Sequence, residues 1–483
     1  MTARLRNLRR SAATVVLLLS SSLAGRAGAE SLQGALAKAY LANPTLTAAR
    51  AEQRANDENV PIREADGRPR IGTSAQFQEL VVRPSNQFLT PHRSANATGN
   101  IDVPLYQGGV VRNSVRAAKT RVLAGQANLR GTEATIFSRV VAAYMDVIRD
   151  SAIVSLNLAN VNALSVNLQA TNDRFEVGDL TRTDVAQSES RLALARSDLQ
   201  TAEANLITSR ENYIALVGSA PDDLQPPPPL PGLPASPDLA VQVALADNPD
   251  ILAARKAREA RGYDVKAAMG TVLPTVSAFS QSSYTDYLDS SIGANKQVAV
   301  GATVTLPLYQ GGRPAAQVRQ SEAFQSQAIE QEVEAERSVV AQTRSAYASW
   351  QAAVQTIQSN QKAVEAANLS LEGVRAENSV GSRTVLDILN AEQEALNAKV
   401  QLVSARRNAY VAAFSLLAAM GHAEAKDLNL ETGALYDPMV NYERVKGKWF
   451  DWDFDPAPRA QATRTVDTPA QNANVPADLA QRP

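Results

Sequence analysis

The feature that most constrains this chain is a long internal repeat. The heptapeptide at 103–109, Val-Pro-Leu-Tyr-Gln-Gly-Gly, recurs at 306–312 with only its first residue changed to Leu, 203 residues later. Other matched pairs keep an offset of 203 or, nearer the start, 205: Asn43-Pro44 with Asn248-Pro249, Ala143-Tyr144 with Ala346-Tyr347, Glu189 with Glu392, and Gly218 with Gly421. A repeat of this length should be one supersecondary unit. We therefore predict two equivalent units, 30–218 and 238–421, joined by a linker at 219–237 that holds eight prolines.

The N-terminus indicates an exported protein. A basic start, a short apolar run and an Ala-Gly-Ala ending make residues 1–29 a predicted signal peptide. An N-terminal anchor helix is the alternative, but the apolar run is short and rich in serine. Cleavage removes five arginines and no acids, so the net charge changes from −1 to −6. A charge of this sign does not favour nucleic acid as a partner.

Each unit is predicted to begin with a helix and a β-hairpin. The Asn-Pro pairs precede Ala-, Arg- and Glu-rich stretches, and proline is favoured in the first helical turn. Apolar and polar residues alternate strictly over 94–106 and over 297–309, which predicts strands with one apolar face. Less regular strands should precede them, giving hairpins at 70–106 and 275–309. Tyr106 belongs to the polar set by this alternation.

Two long helical hairpins should follow, at 110–217 and 314–420. Residues 132–177 and 315–372 contain neither glycine nor proline, and glycines at 178 and 381 interrupt the pattern before further uninterrupted stretches. Apolar residues recur at spacings of three and four, as in packed antiparallel helices. A soluble coiled-coil rod would explain the helices but not the strands.

The strands imply an assembly of several copies. Four strands per chain are too few for a membrane barrel, which starts at eight, and an open edge is not tolerated in lipid. Two copies would supply eight strands, with an interior filled by side chains, and three would supply twelve, wide enough for a channel. The residues Pro104 and Pro307 should end the strands, and the glycine pairs should allow the change from strand to helix. The predicted junction comprises Pro104, Tyr106, Gly108, Gly109, Pro307, Tyr309, Gly311 and Gly312.

With its paired Asn-Pro, Pro-Leu-Tyr-Gln-Gly-Gly and Val-Gly motifs, the chain resembles the outer membrane efflux protein family, the TolC-like outer membrane factors, over about residues 31–421. The resemblance implies a mixed α and β membrane protein of a Gram-negative outer membrane: a homotrimer whose twelve-stranded β-barrel continues as a periplasmic α-helical barrel. It also implies an exit duct for efflux or type I secretion, with a periplasmic adaptor and an inner-membrane pump (ABC or proton-driven) as partners. The absence of cysteine places the chain with the unlipidated branch.

In that family the two helix turns form the periplasmic mouth and meet the adaptor. The matching residues here are Val177, Gly178, Asp179, Leu180, Thr181, Val380, Gly381, Ser382 and Thr384. Helix capping is the simpler interpretation of Asp179, Thr181, Ser382 and Thr384, and we expect at least one cap in each turn.

The resemblance also implies pore and gate residues. Asp387 matches an acidic side chain that faces the pore at its narrowest point, while Asn390 stands where the family has a second one. A solvated surface aspartate is the alternative. Three converging aspartates would raise one another's pKa and attract cations. Arg383 matches a residue that contacts the pair matching Thr183 and Asp184 in the closed mouth, and Asn378 replaces a tyrosine that assists there.

Little in the sequence indicates catalysis. The chain has no cysteine and only two histidines, His92 and His422, and we find no nucleophile elbow or phosphate-binding loop. We predict no enzyme activity, cofactor or metal site. Residues 422–455 should form an equatorial segment, in which 436–455 mixes aromatic and acidic residues, and 456–483 should be disordered. A periplasmic coiled-coil adaptor and a passive porin remain as alternative functions.

Overall fold

The computed structural model describes residues 30–82, 91–288, 293–430, 433 and 435–475. The predicted signal peptide and parts of both hairpin tips lie outside them. The first repeat contains α1 (Leu32–Ala42), α2 (Pro44–Ala65), β1 (Arg70–Glu79), β2 (Arg93–Gln107), α3 (Val110–Glu176) and α4 (Arg182–Val217). The second contains α5 (Pro237–Asp247), α6 (Pro249–Gly270), β3 (Thr275–Asp286), β4 (Asn295–Thr305), α7 (Arg313–Ser379) and α8 (Val385–Met420). A short helix, α9 (Pro438–Val445), follows. The mixed α and β fold predicted from the sequence is confirmed.

The two hairpins form one antiparallel sheet in the order β1-β2-β3-β4. Strands β2 and β3 pair along most of their length, so this central pairing joins the two repeats. Strands β1 and β4 are left as the two edges of the sheet, and each has a neighbour on one side only.

Strand register gives the sheet one apolar and one polar face. Directly paired residues of antiparallel strands share a face, so the pairs Ile71↔Ile101↔Ser280↔Val300 form a row on one side. The same face carries Ala75, Phe77, Ala97, Val103, Val276, Ala278, Val298, Ala302 and Val304. The opposite face carries Arg70, Ser74, Gln76, Asn96, Thr98, Asn100, Asp102, Gln281, Ser283, Gln297 and Thr303.

A bulge corrects two predictions about the first heptapeptide. Pro104 does not end its strand: it pairs with Ser277 inside β2, and the register shifts before Tyr106 pairs with Val276. The ladder with β1 does end earlier, at Asp102. The extra residue in the bulge reverses the alternation, so Tyr106 shares the apolar face of Val276. The sequence pattern had assigned Tyr106 to the polar face, because simple alternation contains no bulge.

The long helices exceed the glycine-free stretches that predicted them. α3 and α7 each have 67 residues, about 100 Å at 1.5 Å per residue, and α4 and α8 each have 36. Helix α3 continues through Gly125 and Gly131, and side chains of α2 and α6 lie close to these two glycines. A Cβ at Gly131 would lie 3.0 Å from the Asp250 carboxylate, and one at Gly125 would meet the side chain of Gln53.

The largest core lies where α1, α3, α4 and the chain after α8 meet. Tyr144 is fully buried there, and its hydroxyl lies within hydrogen-bonding distance of the carbonyl oxygens of Glu30 and Gln225, at 2.8 and 2.6 Å. The start of the described chain and the proline-rich linker are thereby tied to α3.

The last described residues of the tail that was predicted to be disordered, 471–475, contact α4 and the main core. Arg210 of α4 donates to the carbonyl of Asn474 at 2.8 Å, and the backbone N–H of Gln471 donates to Glu211 at 3.1 Å. Ala473 and Val475 pack on the main core. Composition alone gives no sign of these contacts, because they join two apolar residues and a few polar groups of the tail to segments that are distant in sequence. Residues 476–483 lie outside the described part.

Candidate helix-tip and pore site

The two helix turns have nearly the same backbone geometry. Gly178 and Gly381 have φ of +82° and +81°, a left-handed conformation that glycine adopts without strain. Val177 and Val380, just before them, are 80% and 79% exposed. Each long hairpin thus ends in a tight turn that presents an uncovered valine.

Both turns end in a capping box, which confirms the expectation of a helix cap in each. Thr181 accepts from the Asp184 N–H at 3.3 Å, and its own N–H donates to the Asp184 carboxylate at 2.9 Å. Thr384 and Asp387 repeat these bonds at the same distances. The two threonines are the N-caps. Asp179 and Ser382 are not: Asp179 accepts from Arg174 at 2.7 Å, and the Ser382 hydroxyl donates to the carbonyl of Glu377 at 2.8 Å.

Asp387, the predicted pore residue, is therefore also a capping residue. Its pKa is lowered because the backbone N–H of Thr384 and then the Thr384 hydroxyl donate to the carboxylate, with a smaller contribution from Arg383. The pKa of Asp184 is lowered in the same way by Thr181. Within one chain these bonds lower the pKa of Asp387 and favour the ionised carboxylate. Three converging carboxylates would have the opposite effect, because they would raise one another's pKa.

The predicted gate residues do not meet within one chain. Arg383 pairs with Glu377 at 2.7 Å, and Asn378 donates to the Arg383 carbonyl at 2.7 Å. Thr183 and Asp184 lie in the other turn, where Asp184 bonds to its own cap. A contact of Arg383 with Thr183 and Asp184 thus requires a second copy.

Asn390 has a partner that sequence reasoning missed. Its side-chain oxygen accepts from Arg191 Nη2 of α4 at 2.6 Å, which links the two hairpins near their tips. The sequence treated Asn390 only as a neutral replacement for an acid. An arginine one repeat away along the chain offers no local signal of this contact.

A buried glutamate behind the tips was also missed as a site. Glu392 of α8 is 6% exposed and accepts from Asn167 of α3 at 2.9 and 3.0 Å and from Arg375 of α7 at 2.8 Å. It joins three helices from both repeats. Its repeat counterpart Glu189 is exposed. In the sequence Glu189 and Glu392 are equivalent positions of the two repeats, and nothing there indicates that only Glu392 is buried.

The strand-to-helix junctions differ between the repeats. All four glycines have positive φ, from +59° to +78°. Gly108 lies against the carbonyl of Gly270, where no side chain would fit, whereas Gly311 and Gly312 have open space around them. Pro307 and Tyr309 follow the end of β4 at Thr305.

No helix in the described part of the chain has the length and apolar character needed to cross a membrane. No group of three or more acidic or histidine side chains in the same part of the chain is placed to hold a metal ion.

Comparison with known proteins gives consistent results. The model of a family described as "Outer membrane efflux protein" matches residues 35–219 and again 240–422. The chain is 38% identical over 445 residues to outer membrane efflux protein BepC of Brucella suis, covering 91% of this chain and 95% of that protein. It is 27% identical over 466 residues to outer membrane protein TolC of Escherichia coli, covering 89% and 90%. The crystal structure of outer membrane protein VceC of Vibrio cholerae superposes with a TM-score of 0.70 at 24% identity, covering 81% of this chain and 96% of that one.

Proposed function

We infer that this chain, which belongs to the outer membrane efflux protein family, is the outer-membrane exit duct of an efflux or type I secretion system in a Gram-negative bacterium. Its sheet lies in the outer membrane, and its long helices extend into the periplasm. The single observation that carries this function is the two-faced sheet with two open edges, continued by helices about 100 Å long.

The open edges argue for closure by further copies. Edge strands β1 and β4 carry exposed Ile71, Phe77, Val298 and Val300 on the apolar face. Unpaired backbone groups are not tolerated in lipid, so β4 of one copy pairs with β1 of the next. Three copies make a twelve-stranded barrel, and the polar face then lines a channel. Two copies would make eight strands and leave no room for cargo.

The helices support the same assembly. Helix α3 buries twenty-three residues, whereas the equally long α7 buries four. In one chain α3 contacts α8. The equivalent helices of the other repeat are α7 and α4, and they make the equivalent contact between neighbouring copies. A homotrimer closed in this way continues the β-barrel as an α-helical barrel.

The tips are the proposed docking site for a periplasmic adaptor. Exposed Val177 and Val380 are apolar, and the bonds of both turns are made within each turn, so the turns are ordered and still available to a partner. An adaptor there would couple the duct to an inner-membrane pump, ABC or proton-driven, which supplies the energy. The bilayer lipid is the remaining partner.

Photocrosslinking tests this assignment directly. The chain has no cysteine, so Ser382→Cys takes a single crosslinker in living cells, and Gln361→Cys, exposed farther along α7, is the matched control. We expect mass spectrometry to identify an adaptor at position 382 and not at 361. A correctly inserted trimer that captures no adaptor at 382 would favour a passive porin and contradict the duct.

We predict that Asp387→Ala lowers the cation preference of the channel while Asp184→Ala does not. Both variants lose the same kind of capping box. A reversal potential does not depend on how often the channel opens, so the gate contact proposed for Asp184 does not enter the comparison. A charged ring raises the local cation concentration by about tenfold or more at low salt. Reversal potentials in planar bilayers measure the preference. Equal effects of the two substitutions on the cation preference would mean that Asp387 acts only as a capping residue and not in the pore.

We predict that Arg383→Ser increases channel opening by roughly two- to fivefold, because an exposed ion pair contributes little by itself but recurs in each copy. Glu377→Ala removes the partner of Arg383 within the chain and is the control. It should leave the opening unchanged if Arg383 latches onto Thr183 and Asp184 of a neighbour. If the single-channel conductance and opening of Arg383→Ser equalled those of the parent protein, the latch would be excluded.

A further inference from the structure

Residues 449–454, Trp-Phe-Asp-Trp-Asp-Phe, present four uncovered aromatic side chains. The exposed fractions are 62% for Trp449, 83% for Phe450, 84% for Trp452 and 79% for Phe454. We call residues 449–454 the aromatic segment. Large aromatic side chains exposed together indicate an interaction surface. Nothing in the channel function described above uses them.

The aromatic segment lies at the rim where the chain enters the sheet. Arg68, two residues before β1, donates from Nη1 to the carbonyl of Lys448 at 2.6 Å. Its guanidinium also stacks 4.6 Å from the ring centre of Trp449. Glu64, at the end of α2, fixes the other side of Arg68 at 3.1 Å. These contacts place the segment next to the end of β1 that joins the periplasmic helices.

The acidic residues that alternate with the aromatics are partly neutralised from within the chain. The Asp455 carboxylate accepts from Nη1 and Nη2 of Arg444, each at 2.8 Å. The Asp453 carboxylate lies 3.2 Å from Lys448 Nζ. The pKa of Asp455 is lowered, first by its hydrogen bond with Arg444. Ion pairing directs these two carboxylates toward α9 and Lys448, while Phe450, Trp452 and Phe454 stay exposed.

The sheet itself presents aromatic and apolar side chains at the same rim. The bulge in β2 turns Tyr106 onto the apolar face, beside Val276 at the start of β3. After β4, Leu308 and Tyr309 are each 88% exposed. Aromatic side chains concentrate at the boundary between hydrocarbon and water, where their rings bury apolar area beside polar headgroups.

We propose that the aromatic segment inserts into the headgroup region of the periplasmic leaflet of the outer membrane and anchors each copy there. The occupant is phospholipid, argued from continuity with the lipid-facing rim of the sheet. The proposal rests on the proposed outer-membrane placement of that sheet.

The three tryptophans of the chain allow a direct test with the full trimer in vesicles of phosphatidylethanolamine and phosphatidylglycerol. Trp350→Phe/Trp449→Phe leaves Trp452 alone, and Trp449→Phe/Trp452→Phe leaves Trp350, in α7, as the matched control. Phospholipids brominated near the headgroup or deep in the acyl chain serve as quenchers. We expect the emission of Trp452 to shift to the blue on insertion, and to be quenched more by the shallow bromines than by the deep ones. Trp350 should not be quenched.

The outcomes separate this proposal from the channel function. Vesicles that contain an inserted, conducting trimer whose Trp452 is not quenched would overturn the anchor and leave the duct intact. Protein that neither inserts nor conducts would contradict the proposed function itself. Trp452 quenched most by deep bromines would also reject an interfacial position.

Discussion

A Val300→Arg variant is expected to lose the proposed trimer from the outer membrane. Val300 lies in the middle of β4, on the apolar face and 77% exposed in a single chain. An arginine facing lipid at mid-bilayer depth costs about 2–4 kcal/mol, and the cost recurs in every copy. That corresponds to roughly a 30- to 1,000-fold shift against each inserted copy. The heat-sensitive trimer band in outer-membrane fractions measures the loss.

Thr303→Arg is the matched control for this prediction. Thr303 lies on the same strand, three residues away, but pairs with Ser277 on the polar face. In a closed barrel its side chain would face the water-filled interior, where charge is tolerated, so the trimer should remain. If both variants assemble equally well, the assignment of the two faces to lipid and lumen is wrong.

Glu392→Ala is expected to loosen the helix tips. The substitution removes three hydrogen bonds and leaves Asn167 and Arg375 without their shared acceptor. Losing hydrogen bonds to a buried charged group costs about 1.5–3 kcal/mol, and the lower end applies because the Arg375 side chain is 53% exposed. A cost of about 1.5 kcal/mol raises local opening roughly tenfold. Hydrogen exchange of the backbone around residues 370–392 measures this opening.

Two further variants make the result specific to Glu392. Glu394→Ala, exposed on the same helix, should leave exchange unchanged. Glu392→Gln keeps an acceptor for Asn167 but removes the charge, so its effect should be intermediate. If the backbone of Glu392→Ala exchanges hydrogen at the same rate as that of the parent, the contacts of Glu392 with Asn167 and Arg375 contribute nothing to the rigidity of the tips.

The sequence predicted much of the architecture because the relevant signals are local or duplicated. Alternation of apolar and polar residues predicted β2 and β4, and the glycines at 178 and 381 predicted both helix turns. The threonine caps followed from residue type after a glycine. The predicted helical hairpin at 110–217 includes Gly125 and Gly131, although the glycine-free stretch begins only at 132. Both glycines lie inside α3, where side chains of α2 and α6 come close to them.

The candidate site divides in the same way. Thr384 was one of the predicted capping candidates, because residue type after a glycine indicates a cap. The reciprocal bond of Asp387, three residues later, was not predicted, because Asp387 was assigned to the pore. The contacts of Glu392 with Asn167 and of Asn390 with Arg191 join residues about 200 positions apart, and no spacing rule reaches that far. The reverse case is Arg383. Within the chain it pairs with Glu377, only six residues away, whereas the predicted partners Thr183 and Asp184 require another copy.

By itself the sequence determined the duplication, the order of strands and helices, and the places where the chain turns, because periodicity and turn chemistry act over a few residues. Only the tertiary structure decided the strand register, the bulge that turns Tyr106 onto the apolar face, and the burial of Glu392 while Glu189 stays exposed. These features depend on which distant segments become neighbours. Two repeats with the same order of helices and strands acquire different surroundings because each packs against a different part of the same chain.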